Sequence, residues 1–90
     1  MLPFIYMQYF VYILFSHKLN KYYIGSTANI RDRLLKHNRS KTGFTSTGKP
    51  WILMYHEAFG SRTEAMKRES QLKKWKNRDR IEALISNAGL

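Results

Sequence analysis

The chain has 90 residues and no cysteine, which excludes a disulfide scaffold, a thiolate metal site and a cysteine nucleophile. Its 43% hydrophobic and 24% charged residues suit one small folded domain, and at this size only about 60–65% of the unfolded surface is buried. Sixteen Lys and Arg against six Asp and Glu leave a net charge of +10, which implies a polyanionic partner, either nucleic acid or an acidic membrane face.

Met1 to Phe15 is uncharged and mostly apolar. It falls short of the ~20 residues of a spanning helix, and Pro3 and Gln8 interrupt it. It also lacks the basic start and small-residue cleavage site of a secretory signal, so the expected location is the cytoplasm. Residues 1–6 read as an N-terminal extension, Met7 as an alternative start, and 7–86 as a single domain. Tyr9, Val11, Ile13 and Phe15 alternate with Phe10, Tyr12 and Leu14, and both sets are apolar, as in a strand covered on both faces. His17 to Lys21 is a polar hairpin turn, and Tyr22 to Gly25 a second strand. Asn29 is an N-cap for a helix from Ile30 to Asn38.

Arg39 to Pro50 is a polar loop at the long end for a compact domain. Trp51 to Phe59 is a third strand. Ser61 and Glu64 have capping-box spacing for a helix from Arg62 to about Trp75. Asn77 caps a last short helix through Ile81, Leu84 and Ile85. The order β-β-α-β-α-α is that of an α+β domain, a three-stranded antiparallel sheet flanked by helices.

Two polar residues fall on apolar stripes. Glu69 lies on the face of Ala65, Met66 and Leu72. An inward carboxylate is costly unless it is paired or holds a cation. Arg33 and His37 fall along the stripe of Ile30 and Leu34, while Leu35 suggests a second apolar face. An ion pair between Glu69 and Arg33 across two packed helices accounts for both residues without any function.

These residues also resemble a known family. Tyr12-Ile13-Leu14, followed after eight residues by Tyr23-Ile24-Gly25, resembles the paired motif of the GIY-YIG nucleases. The first element departs from the name: Val11-Tyr12-Ile13 stands in place of Gly-Ile-Tyr and keeps only the tyrosine. The second is complete and continues as Gly25-Ser26-Thr27. The spacing of Arg33 and His37 resembles the family's helix arginine and histidine, and Glu69 its metal-binding glutamate. The match runs from about Tyr9 to Ile85 and looks most like the small single-domain bacterial members. Relatives in the family include homing endonucleases and the first incision domain of excision repair.

The resemblance implies a metal-dependent endonuclease acting on DNA, including branched or damaged DNA. Glu69 is then the ligand of one divalent ion, Mg²⁺ by preference, with water completing its shell. Arg33 stabilises charge developing on the phosphate. Tyr23 is the candidate general base, Tyr12 orients the water, and His37 contacts phosphate or relays a proton. A phenol needs nearby cations to serve as a base at neutral pH. Gly25 lets the backbone approach the substrate closely.

Arg39, Lys41, Thr45 and Lys49 in the long loop, with Lys73 and Lys74 on the second long helix, are candidate nucleic-acid contacts. Phe44 either stacks on an unpaired base or packs under its own loop. Two other classes compete with an enzyme. One is a module that holds DNA or RNA without cutting. The other is a subunit whose specificity comes from a protein partner.

Overall fold

A strand that is apolar on both sides needs cover on both sides, and β1 (Tyr9–Ser16) has it. It is the central strand of a three-stranded antiparallel sheet ordered β2-β1-β3, with β2 spanning Lys21–Thr27 and β3 spanning Trp51–Phe59. A computed structural model describes residues 7–88; the reading of 1–6 as an extension lies outside the described residues. Helix α1 (Ile30–Arg39) and a 3₁₀ turn (Phe44–Thr47) follow β2, and helices α2 (Arg62–Trp75) and α3 (Arg78–Ala88) follow β3. The order expected from the sequence holds, with the 3₁₀ turn added inside the long loop.

The core has two layers, one on each face of the sheet. Val11 and Ile13 pack with Ala65, Leu72 and Ile81 of α2 and α3. On the opposite face Tyr12, Leu14 and Trp51 pack with Leu34 and Tyr23. The pairing of β1 with β3 shifts between Ile13 and Leu14. Tyr55 therefore joins the α2 layer while Leu53 joins the α1 layer, as a bulge lets a strand change its buried side.

The caps are as the sequence indicates. The Asn29 side chain accepts from Asp32 N at 3.0 Å, and that of Asn77 from Arg80 N at 3.2 Å. Ser61 Oγ accepts from Glu64 N at 3.2 Å and donates to its carboxylate at 3.1 Å. The box thus closes side chain to side chain rather than onto the Ser61 backbone.

Two expected apolar positions are corrected. Met66 is 53% exposed and Leu35 43% exposed, so neither belongs to a buried stripe. The buried stripe of α2 runs through Ala65 and Leu72, and α1 has no second apolar face against the sheet.

Candidate active site

The site assembles around the ring of Tyr12. Tyr12 is paired with Gly25 across β1 and β2, and a Cβ on Gly25 would lie 2.5 Å from the Tyr12 hydroxyl and 2.6 Å from Cζ. Gly25 is therefore glycine because the tyrosine ring fills that space. The sequence reading has it clearing a path for a nucleic-acid backbone; the structure shows it buried beneath Tyr12. The Tyr12 ring lies 6.4 Å from that of Tyr23, and its hydroxyl shares a 2.9 Å hydrogen bond with Nε2 of His37. Tyr23 stands edge-on to His37 at 4.9 Å.

His37 is held in turn. Its neighbour Asn38 accepts from Trp51 N at 2.6 Å and donates to Trp51 O at 3.1 Å, which ties the end of α1 to the start of β3. Ser16 Oγ donates to Gly48 O at 2.6 Å and pins the loop beside it.

Both charged residues act on the same tyrosine. Burial, then Tyr23 and Glu69, push the Tyr12 hydroxyl up to about 12, while Arg33 pulls the other way by charge and hydrogen bonding. The Arg33 side chain lies exposed. Burial, Arg33 and Lys36 together hold His37 below its ordinary value of 6.5, so it is neutral at pH 7.

Glu69 and Arg33 do not form the ion pair that periodicity allows. Glu69 instead accepts from Ser26 Oγ at 2.6 Å and pairs with Lys73 at 2.5 Å, its side chain 20% exposed. The Glu69 carboxylate reaches the sheet from the α2 layer, at edge strand β2, one residue beyond Gly25. The sequence reading missed Ser26, Asn38 and Trp51 as supporting residues. Ser26 alone carried a signal, its place directly after Tyr23-Ile24-Gly25.

Among the described residues no three His, Asp or Glu gather as a metal cluster. A lone carboxylate with a hydroxyl beside it suits a hard ion that keeps most of its waters and shares them with a phosphate. Glu69, assisted by Ser26, is the donor set that would hold such an ion.

The candidate nucleic-acid residues divide. Arg33 opens onto a depression of about 320 Å³ that also holds Lys36, Arg62 and Asp32. Arg39 and Lys41 line a separate depression with Leu35 on the outer side of α1. Lys74 lies with Met66 and Ser70 on the outer face of α2, away from Glu69. Lys49 is turned inward, Nζ donating to Ser40 O at 2.8 Å, so it supports the loop and is not a free cation. Thr45 lends its carbonyl to Trp51 Nε1 at 2.7 Å. Lys73 is committed to Glu69.

Residues 8–82 match the GIY-YIG catalytic domain family. A UPF0213 protein of Staphylococcus haemolyticus is 35% identical over 78 residues, covering 86% of this chain and 94% of its own. One from Streptococcus pneumoniae is 40% identical over 67 residues, covering 73% and 68%. The solution structure of a UPF0213 protein from Bacillus halodurans superposes with a TM-score of 0.56 at 34% identity, covering 89% of this chain and 84% of that one.

Proposed function

The chain belongs to the GIY-YIG family, a family of nucleases, and from that premise we propose that it is a divalent-metal-dependent endonuclease acting on DNA phosphodiester bonds, on branched or damaged structures in the cytoplasm. The observation that supports the reading is the cluster of Tyr12, Tyr23 and His37, with exposed Arg33 on the same helix as His37 and Glu69 held at Ser26, the residue after Gly25.

In this reading each residue works by its surroundings. Arg33 is exposed, permanently charged and planar, and it meets the phosphoryl oxygens as negative charge grows on them. Tyr23 gives its own phenolic proton to His37 as it takes one from the attacking water, whose oxygen bonds to phosphorus while the P–O ester bond breaks and the departing oxygen takes a proton from solvent. His37, neutral and beside Tyr23, passes the phenolic proton on. Tyr12 stays a neutral phenol: with its hydroxyl pushed up to about 12, only about one molecule in 10⁵ is ionised at pH 7. Its task is to fix the His37 ring. When bound at Glu69, a divalent ion supplies Lewis-acid charge at the phosphate and leaving group. Lys73 is half-exposed, so it can leave Glu69 for a phosphate.

The test is cleavage of plasmid and branched oligonucleotides, DNA and RNA, with Mg²⁺ or Mn²⁺ and with EDTA. Glu69→Ala and Arg33→Ala are each expected to slow cleavage by about 10²–10³. Cleavage by both variants at the wild-type rate would overturn the reading. The Lys73–Glu69 pair favours one second reading, a module that binds without cutting or does so only with a protein partner. Binding that persists in EDTA, with no cleavage under any metal, would support that one.

A further inference from the structure

Phe44 is a large apolar ring left 51% exposed, in a turn built to hold it still. Gly43 O accepts from Ser46 N and Oγ, Thr45 O accepts from Trp51 Nε1, and Thr47 Oγ1 donates to Phe44 O at 2.6 Å. Side-chain bonds at Ser16 and Lys49 secure the flanks. Of the two alternatives for Phe44, packing is met only in part, since half of the side chain stays open to solvent. One face of the ring lies over Tyr23, centroids 6.5 Å apart and planes within 21°, and its edge meets Trp51 at 6.1 Å. Tyr23 in turn meets His37. The series of rings runs from solvent to the candidate base.

A fixed aromatic ring with an open face, on a protein of charge +10, suits a nucleobase. In duplex interiors base faces are covered by their neighbours, so an accessible face means an unpaired, unstacked nucleotide. We propose that Phe44 is the stacking platform for an unpaired base, which sets the backbone of that nucleotide beside Tyr23. The inference rests on the nuclease reading and names its substrate class: nucleic acid with an unpaired nucleotide at the cut, such as a single strand, flap or junction.

The test measures binding in EDTA, where cutting plays no part, using the full chain. The probes are a single-stranded oligonucleotide carrying 2-aminopurine and a blunt duplex of the same sequence. Phe44→Ala and Phe44→Leu are expected to weaken single-strand binding about 5- to 150-fold and to abolish the stacking-induced change in 2-aminopurine fluorescence. Phe44→Trp should retain both, and duplex binding should not change. Phe44→Leu preserves apolar contact with Trp51 without an aromatic face, so it decides the matter if the alanine variant misfolds. Unaltered single-strand binding, or equal loss on both probes, would overturn the proposal. A chain that stacks the base yet cuts nothing would overturn only the nuclease reading.

Discussion

Gly25 and Tyr12 meet across β1 and β2 so closely that Gly25 cannot gain a side chain while the tyrosine stays in place. Gly25→Ala must drive its methyl into the Tyr12 ring, 2.5 Å from the hydroxyl. Overpacking of this kind costs about 1–3 kcal/mol, and because the displaced hydroxyl is the one bonded to His37, cleavage should fall with it. Thermal unfolding and a cleavage assay check the two effects together. His37 gives a pH prediction. Its folded value lies below the ordinary 6.5, so as pH falls below 6.5 the unfolded chain binds a proton that the folded chain refuses. Its contribution to stability is fully present above 6.5 and is lost as pH falls through the folded value. Melting temperature should therefore drop between pH 7.5 and 5, and His37→Gln should flatten that drop.

At the level of elements, α2 is fastened to β3 by a two-point ion pair. Arg68 Nε and Nη2 donate to the two carboxylate oxygens of Glu57 at 2.9 and 3.0 Å, and Tyr55 donates to the same group. Burial raises the Glu57 carboxyl, but the bonds from Arg68 and Tyr55 outweigh it and hold it below 4.5. Glu57→Gln should cost about 1.5–3 kcal/mol near pH 7, with less difference from the wild type as acid protonates Glu57. Denaturant unfolding at two pH values checks this. The elements themselves were legible because each boundary has a local cause: Asn29, Ser61 and Asn77 cap their helices, and β1 is apolar on both sides. The shift between Ile13 and Leu14 was not legible, since β3 shows the same alternation of exposure on either side of it. Periodicity placed Glu69 on the face of Leu72 yet could not choose its partner, because Ser26 and Arg33 are both remote in sequence. Met66 and Leu35 were misplaced because a small domain leaves some large apolar residues in water.

Over the whole molecule, the charge of +10 overstates what is free to meet a polyanion. Arg62 lies over Tyr9 at 4.9 Å and Arg80 over Trp75 at 4.1 Å, Arg68 holds Glu57, and Arg78 bonds Asn20 and Glu82. The logarithm of DNA affinity should consequently fall with the logarithm of salt concentration with a slope of about −3 to −5, set by a handful of phosphates. A slope near −9 would mean that these arginines are released on binding. Among the described residues no helix is long and apolar enough to cross a membrane. The central claim is that Arg33 and Glu69 serve one reaction through one site. Single-turnover cleavage by the wild type, by Arg33→Ala, by Glu69→Ala and by the double variant tests it. The account predicts Mg²⁺-dependent cutting by the wild type, and a double variant about as slow as the slower single one, since residues acting as a unit do not add. Losses that multiply independently, or a wild type that cuts nothing with any divalent ion, would contradict it.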